Sequence, residues 1–269
     1  KLPLRKRRRS LTTTNAARRL RQRRSKTLNY LTACGRIARH GTMDAAHIEG
    51  ADMLELNHFY NMDCMEGMKQ FPDKYFELAI VDPPYGKDIA NMNMGVGKSS
   101  RCSKIQNRKW KPSDWDKEVP QQCYFDELFR ISKNQIIFGA NYFSDKIPPS
   151  QYFAIWDKGE GMYDRSFSEC EYAWVRDGGT RIFKYPPFQH ERIHPTQKPV
   201  ALYEWLLQHY AKSGYKILDT HVGSASSLIA CYEMGFDYIG FELDPDYFKA
   251  ASERLDAAKA QQSLFRQGT

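Results

Sequence analysis

The segment KILDTHVGSASSLIACYEMGFDYIGFELDPDYF, residues 216–248, decides the fold class. An apolar strand ends at Asp219, a loop of small residues follows, and a helix begins near Ser224. A second apolar strand then ends at Glu242. A strand, a loop, a helix and a further strand in this order predict two parallel strands of one sheet, with the helix packed on a face of it.

The same alternation extends over most of the chain. Strands are predicted at 56–61, 77–81, 135–138, 152–156, 172–176, 216–218 and 238–241, and the longer helices at 121–132, 199–212, 224–234 and 246–259. Strands that alternate with helices predict an α/β fold, with a mainly parallel sheet covered by helices on both faces.

The charge of the chain is concentrated near its beginning. Residues 1–50 hold 14 Lys and Arg against two Asp and Glu, whereas the remaining 219 residues carry a net charge of −4. We therefore predict a flexible basic tail and linker over 1–53 and a catalytic domain over 54–269. The tail is interpreted either as a non-native or disordered extension or as an arm that binds phosphates without sequence preference.

Cysteine spacing and hydropathy indicate the compartment. The six cysteines form no CxxC pair and no Cys/His cluster at zinc spacing, which favours reduced thiols and no metal site. No stretch approaches the roughly 18 apolar residues of a membrane span, and the basic N-terminus lacks the apolar part of a secretory signal. These observations predict a cytoplasmic protein without a membrane partner.

The loop after Asp219 has the features of a ligand site. Ligands of doubly wound sheets bind at the carboxyl ends of the strands, and Gly223 lets the backbone approach a ligand closely. Glu242 follows Gly223 by 19 residues, about the spacing at which an acidic residue meets ribose hydroxyls. The loop does not read GxGxxG, which argues against a dinucleotide, and many ordinary strand–helix turns look similar.

A second loop follows the apolar strand of ELAIVDPPYGK, residues 77–87. Pro83 and Pro84 have no backbone N–H and hold the chain extended, so nearby carbonyls are predicted to accept hydrogen bonds from a ligand. Asp82 adds a charged acceptor, and Tyr85 offers a flat face for stacking. Acceptors beside an aromatic ring suit the exocyclic amine of a planar base, although the segment taken alone favours an ordinary Asp-Pro turn with the tyrosine packed on the sheet.

Three motifs in a fixed order resemble one family. Asp82–Tyr85 comes first, HPTQKP at 194–199 second, and the glycine loop at 219–226 last. Two further segments support them, NMDCMEGM at 61–68 and FAIWDKGEGMYDRSFSECEYAWV at 153–175. From about Leu56 to Leu255 the chain resembles the beta-class amino-methyltransferases of DNA, which use S-adenosylmethionine (SAM).

The resemblance implies a SAM-dependent methyltransferase fold, Rossmann-like and mostly parallel with an antiparallel strand. It implies direct methyl transfer from SAM to an exocyclic amine of a flipped base, because positioning alone can lower such a barrier by several kcal/mol. The implied catalytic residues are Asp82, Pro83, Pro84 and Tyr85. The implied cofactor-binding residues are Asp63 at the adenine amine, Glu242 at the ribose, and Thr196, Lys198, Asp219, His221, Gly223 and Ser224 around the methionine part.

One segment departs from the family pattern. Where the family has a loop close to DPFxGSGT, this chain has DTHVGSAS, so that Thr220, His221 and Ala225 replace Pro, Phe and Gly. Gly223 and Ser224 are retained, which preserves the close backbone approach. The departure makes the strength of cofactor binding less certain than the catalytic segment implies, and His221 is interpreted as a packing substitute for the aromatic residue.

DNA contacts are predicted in two loops, 87–118 and 177–193. The first has basic residues interleaved with aromatic ones, a pattern typical of contact with a nucleic-acid backbone, although a solvated loop fits as well. The DNA-binding candidates are Lys87, Lys98, Arg101, Lys104, Arg108, Lys109 and Trp110.

The base type rests on the residue that begins the PPY segment. In the resembled family Asp there goes mostly with adenine and Ser with cytosine, so we predict N6-adenine methylation, of the kind found in restriction–modification, in a bacterial or phage-infected cell. N4-cytosine methylation, a catalytically silent DNA-binding homologue, and methylation of RNA or protein remain as alternatives. Homodimers are common in the family, but no residue here indicates one.

Overall fold

The computed structural model describes residues 53–91, 114–164, 168–187 and 192–267. Residues 1–52 of the predicted tail and linker lie outside this range. The strands are β1 (His58–Asn61), β2 (Phe76–Val81), β3 (Ser132–Phe138), β4 (Tyr152–Asp157), β5 (Cys170–Val175), β6 (Arg181–Lys184), β7 (Lys216–Asp219) and β8 (Asp237–Glu242). The helices are α1 (Cys64–Met68), α2 (Gln122–Ile131), α3 (Val200–Tyr210), α4 (Ser226–Met234) and α5 (Pro245–Gln267), and short 3₁₀ turns lie at Ile89–Asn91, Ala140–Tyr142 and Glu160–Met162.

All eight strands form one sheet in the order β1-β8-β7-β2-β3-β5-β4-β6. The pairs β1–β8, β8–β7, β7–β2, β2–β3 and β4–β6 are parallel, whereas β5 runs antiparallel to both of its neighbours, β3 and β4. The prediction of a mostly parallel sheet with an antiparallel strand is confirmed. After β2 the chain moves to one side of the sheet, and after β7 it moves to the other, so the topological switch point lies between these two strands.

The central strand β2 is buried on both faces. Leu78 and Ile80 belong to the apolar cluster on one face, and Ala79 and Val81 belong to the cluster on the other. This is why FELAIV reads as an unbroken apolar run apart from Glu77, since a parallel strand under two helical layers has no solvent-facing side.

Helices cover both faces as predicted. Leu206 of α3, Leu228 of α4 and Leu255 of α5 pack in the first cluster. Met68 of α1 and Leu128 of α2 pack in the second. The two layers leave the ends of the strands open, and the carboxyl ends of the parallel strands share one edge.

Two elements differ from the sequence prediction. Arg181–Lys184, within the segment 177–193 predicted as a loop, forms the edge strand β6 beside β4. Only four residues long and mostly exposed, it lacks the apolar run that identifies a buried strand. The last helix continues to Gln267 rather than ending at Lys259, because Ala and Gln in its final turns favour helix without an apolar stripe.

Helix α1 packs so closely on β8 that its glycine is required. A Cβ added at Gly67 would lie 2.4 Å from the ring of Phe241, whereas one added at Gly161 meets nothing within 4 Å. We predict that Gly67→Ala lowers the free energy of unfolding by about 1–3 kcal/mol despite the better helix propensity of alanine. Urea unfolding measures this, with Gly161→Ala as the control expected to change by less than about 0.5 kcal/mol. Equal stability of the two variants would contradict the packing.

Candidate active site

Four segments meet at the carboxyl edge of the sheet, at the switch point. The strands β2 and β7 pair directly, with Ala79 opposite Leu218, so the loops that follow them are neighbours. Val222, in the loop after β7, donates its N–H to the carbonyl of Phe241 at 3.0 Å. The hydroxyl of Ser226 donates to the carbonyl of Lys198 at 2.7 Å, which brings in the segment before α3. The three motifs that the sequence orders along the chain therefore lie together.

Asp82 is the first residue after β2, and both of its carboxylate oxygens are engaged. The hydroxyl of Tyr85 donates to Oδ1, and the ammonium of Lys198 donates to Oδ2. The side chain of Asp82 is 15% exposed and that of Lys198 only 4%. Asp82 thus lies at the boundary between the buried sheet and the open edge, where a ligand can still reach it.

Asp116 fixes the turn that follows Asp82-Pro83-Pro84. Its buried carboxylate accepts the backbone N–H groups of Tyr85 at 2.7 Å, Gly86 at 3.0 Å and Ile89 at 3.0 Å. The prolines have no N–H to give to a ladder, and Asp116 gathers the first donors available after them. Sequence reasoning missed this role, because Asp116 lies some 30 residues from the turn that it holds.

The ring of Tyr85 lies in an aromatic niche. It stacks on Tyr142 with ring centroids 5.0 Å apart, and Gly139 approaches so closely that an added Cβ would lie 2.2 Å from the ring. The ammonium of Lys87 lies 4.4 Å from the centre of the Tyr142 ring. Tyr85 therefore has a defined orientation next to Asp82.

Lys198 links Asp82 to a second carboxylate. Its ammonium lies 3.3 Å from Oε2 of Glu171 on β5, and Oε1 of Glu171 pairs with Lys158 at 2.8 Å. The carbonyl of Lys198 accepts a hydrogen bond from Ser226 beside the glycine loop, whereas its ammonium points to Asp82. The position of Lys198 beside the methionine part of a cofactor stays a prediction.

Burial and charge set the ionisation of this group. Burial raises the pKa of Asp82, and Lys198 offsets only part of that rise while Glu171 adds to it. Burial opposes the ionisation of Glu171 too, but Lys198 and Lys158 lower its pKa to about 2. Burial lowers the pKa of Lys198, yet Asp82 and Glu171 more than compensate, so its pKa is raised. The lysine therefore remains a cation between two carboxylates.

The glycine loop is organised by Asp219. Its Oδ1 accepts the N–H of His221 at 3.0 Å, and its Oδ2 accepts the hydroxyl of Ser227 at 2.5 Å. Burial raises the pKa of Asp219 to about 7. The same burial lowers the pKa of His221 to about 4, and its neutral ring packs edge-on against Tyr124 at 5.3 Å. This contact fits the prediction that His221 replaces the packing of an aromatic residue.

Ala225 occupies a conformation that normally requires glycine. Its φ is +61°, and its side chain is fully buried at the start of α4. A non-glycine residue in the left-handed region costs about 1–2 kcal/mol. Ala225 thus adds strain to the loop at a position where the resembled family has glycine.

Glu242 connects the loops after β7 and β8. Its Oε2 accepts the N–H of Gly223 at 2.9 Å, and its Oε1 accepts the N–H of Asp244 at the same distance. Burial raises its pKa, although these two hydrogen bonds counteract the rise. A carboxylate offers about four lone-pair sites, so Glu242 retains acceptors for a ligand.

Asp63 lies on the neighbouring strand end. It follows β1, which pairs with β8 so that Asn61 is opposite Glu242. The side chain of Asp63 caps α1 by accepting the N–H of Met65 at 2.7 Å. The predicted pair Asp63 and Glu242 thus occupies adjacent strands, as one elongated ligand requires.

His194 and Thr196 line the same edge from the segment before α3. The hydroxyl of Thr196 lies 3.0 Å from Nδ1 of His194, and the His194 ring packs on Tyr247 at 4.3 Å. Trp115 contacts the other side of this ring at 5.1 Å. Burial, with Lys198 and Arg192 nearby, lowers the pKa of His194 to about 3, so it acts as a neutral packing residue.

The structure describes only one of the predicted DNA-binding residues. Lys87 lies beside Tyr142, whereas Lys98, Arg101, Lys104, Arg108, Lys109 and Trp110 lie outside the described residues. Within the described ranges, no group of three His, Cys, Asp or Glu side chains is arranged to hold a metal ion. No helix in that part of the chain is long and apolar enough to cross a membrane.

Sequence reasoning missed Glu171, Lys158, Asp116 and Tyr142. Both Glu171 and Lys158 lie in FAIWDKGEGMYDRSFSECEYAWV, a segment that carries the family resemblance, at the ends of two predicted strands. Their side chains could not be assigned, since the pairing partner of each charge depends on the antiparallel course of β5.

A doubly wound sheet with acidic strand ends around a glycine loop is the architecture that the sequence predicts through its resemblance to SAM-dependent methyltransferases. Residues 150–253 match the N6_N4_Mtase family, described as DNA methylase. The protein YubD of Escherichia coli (strain K12), which carries a provisional methylase name, is 24% identical over 226 residues, covering 76% of this chain and 92% of YubD. These matches confirm the resemblance to the N6/N4 DNA methyltransferases.

Further similarities are more local or more distant. The type II methyltransferase M.HpaI of Haemophilus parainfluenzae is 36% identical over 69 residues, which cover 26% of this chain and 22% of M.HpaI. A solved M1.HpyAVI–SAM complex is 18% identical with a TM-score of 0.47, covering 74% of this chain and 98% of the other. The cytosine-N4-specific PvuII DNA methyltransferase is 10% identical with a TM-score of 0.48, covering 77% and 92%.

The niche of Tyr85 yields a prediction about Gly139. Gly139 and Gly214 both have a positive φ, +69° and +81°, but only Gly139 has a ring in the path of a Cβ. Both alanine variants are expected to lose about 1–2 kcal/mol of unfolding free energy from the backbone alone. Gly139→Ala is expected to lose more and to change the near-ultraviolet circular dichroism of the tyrosines. Urea unfolding and dichroism that match those of Gly214→Ala would contradict the placement of Tyr85.

Proposed function

We propose that this protein transfers a methyl group from SAM to the N6 amine of a flipped adenine in DNA. The observation that carries the proposal is the position of Asp82 at the switch point, in the strand-end loop beside the glycine loop of Asp219. An acceptor for an amine and a site for a methyl donor are thereby adjacent, as direct transfer needs.

The residues present fit SAM. Glu242 and Asp63 supply carboxylate acceptors, which suit ribose hydroxyls and an adenine amine. Gly223 and Ser224 supply a loop that a ligand can approach, and Asp219, Thr196 and His221 surround it. When bound, SAM supplies a methyl group on a sulfonium, activated for attack by a nucleophile.

Asp82 makes the amine a better nucleophile. The lone pair of an exocyclic amine is delocalised into its ring, and hydrogen bonds from the amine to Asp82 and to the carbonyl of Pro83 favour a pyramidal nitrogen. Bound SAM would supply the methyl carbon for a new bond to this nitrogen, and the electrons of its carbon–sulfur bond would leave with the sulfur. The nitrogen then loses one proton, and Asp82, whose pKa burial raises, is placed to accept it.

Tyr85 and Tyr142 provide the aromatic surface for the flipped base. Enzymes that modify a base inside a duplex extrude it and stack it on apolar or aromatic side chains. Tyr85 is held by Asp82 and Tyr142, so the surface is preformed beside the acceptor. Lys87, over the Tyr142 ring, lies where the phosphate backbone of a flipped nucleotide can be neutralised.

Two alternatives have specific support. Cytosine N4 is an amine of the same kind, and a relative of similar fold carries a cytosine-N4-specific name. A silent DNA-binding homologue is favoured by the altered glycine loop, where Ala225 is strained. We prefer the adenine enzyme because the chain retains Asp82 and the entire PPY segment.

Asp82→Asn tests the reaction. We expect it to reduce methyl incorporation into unmethylated genomic DNA by at least about 10²-fold with SAM binding unchanged, because the variant loses the charged acceptor. The exposed variant Asp237→Asn serves as the control with full activity. Tritiated methyl transfer followed by nucleoside analysis measures both rate and product, and N4-methylcytosine as the product would refute the adenine assignment.

Glu242→Gln tests the cofactor site. In this variant an amide N–H₂ must face the backbone N–H of Gly223 or of Asp244, so we expect calorimetric SAM affinity to fall by about tenfold or more. Asp244→Asn is the matched control, since it removes an equal charge two residues away and keeps a good cap for α5. An intact chain that binds no SAM would instead support the silent homologue.

A further inference from the structure

Four charged side chains of alternating sign form a buried chain at the catalytic edge. Lys158, just after β4, pairs with Glu171 on β5, which lies beside Lys198, which pairs with Asp82 after β2. The side chains of Lys198 and Lys158 are 4% and 11% exposed, and those of Asp82 and Glu171 are 15% and 28% exposed. We call this set the charge chain.

The charge chain is balanced as a whole but not in its parts. With two cations and two anions its net charge is zero, which reduces the penalty of burying each ion. Removing one member leaves a buried charge without compensation, and such changes are costly. The stability of this arrangement therefore depends on the presence of all four side chains.

The contact between Glu171 and Lys198 is looser than the others. Oε2 of Glu171 lies 3.3 Å from the ammonium, but it is buried without a partner in hydrogen-bond geometry. Lys198 is instead directed at Oδ2 of Asp82. Glu171 therefore acts on Lys198 mainly as a neighbouring charge. This charge reduces the effect of the Lys198 ammonium on the Asp82 carboxylate.

We propose that Lys198 and Glu171 are positioning residues for Asp82: the charge chain holds the catalytic carboxylate in one orientation and in its anionic form, ready to accept the amine of the base. The proposal rests on the function proposed above. Lys198 fixes Oδ2 while Tyr85 fixes Oδ1, so the remaining lone pairs of both oxygens have fixed directions.

Several groups act on the ionisation of Asp82. Tyr85 and Lys198 contact its carboxylate, and Glu171, beside Lys198, acts through space. The buried Asp219, Tyr124 and Tyr203 lie within electrostatic reach from β7, α2 and α3. Lys198 is the cation among them. Removing Lys198 should therefore raise the pKa of Asp82, and removing the charge of Glu171 should lower it.

The pH dependence of kcat tests the proposal with two variants that are expected to shift the pH profile in opposite directions. Activity requires anionic Asp82, so kcat rises with pH through an acid limb. We expect Lys198→Met to move that limb to higher pH and Glu171→Gln to move it to lower pH. The plateau kcat of Lys198→Met should fall by roughly tenfold or more, and KM for SAM should stay within about twofold of the unmodified protein.

The chain contains a matched control at the opposite end of the sheet. Glu77 there lies between two lysines, Lys133 at 3.0 Å and Lys216 at 3.1 Å, as Glu171 lies between Lys158 and Lys198. Lys133→Met and Glu77→Gln therefore remove the same groups from a similar arrangement. Both should leave the acid limb unchanged. The proposal would be overturned if Lys198→Met and Glu171→Gln left the acid limb of kcat unchanged, or if both moved it in the same direction.

A second measurement needs neither SAM nor DNA. A carboxyl whose folded pKa is raised makes the protein less stable as pH rises from the unfolded pKa towards the folded one. From pH 5 to 8, stability should therefore decrease more steeply with pH in Lys198→Met than in the unmodified protein, and less steeply in Glu171→Gln. These slopes test the charge chain even if methyl transfer is absent. Correct slopes with no transfer would refute the proposed function alone, whereas unchanged slopes would refute the charge chain.

Discussion

The parallel pairing of β2 with β7 is the constraint on which the site depends. The two strands are 139 residues apart at the pair Leu78 and Ile217, which the sheet places opposite each other. The chain leaves β2 towards one edge of the sheet and β7 towards the other, so the loops that follow these two strands diverge from neighbouring carboxyl ends. Asp82 and the glycine loop therefore lie side by side at the carboxyl edge of the sheet. Both apolar faces of β2 stabilise this pairing, since moving the strand by one residue would exchange the side chains of the two cores.

Much of this arrangement was predictable from local patterns. The apolar run before Asp82 and the alternation around Asp219 indicate buried parallel strands, and acidic residues at such strand ends must lie at one edge of the sheet. The order of the motifs then indicates the family. The pattern was weaker for β6, whose four residues are mostly exposed, and for the last turns of α5, which have no apolar stripe. In both places the local sequence carries little of the information that tertiary packing supplies.

The side-chain partners within the site were not predictable in the same way. Asp116 reaches back to hold a turn 30 residues earlier, and Lys198 meets a carboxylate 116 residues earlier. Periodicity gives the face of a residue but not its partner across the sheet. For Lys198 the helix that follows suggests a role near the glycine loop, and its carbonyl does lie there. The long side chain, however, carries the charge to the next loop, so that one residue connects the two halves of the site.

The same separation of backbone and side chain explains what holds the glycine loop at its departures from the family pattern. Ala225 accepts a left-handed conformation because its methyl group lies in the buried cluster on one face of the sheet, and the packing gained there offsets part of the strain. His221 is held neutral by burial and packs on Tyr124, so it adds no charge beside Asp219. The hydrogen bonds from Asp219 and Glu242 to the backbone then determine the path of the loop. Those bonds do not depend on the side chains of Thr220, His221 and Ala225, at which the loop departs from the family pattern.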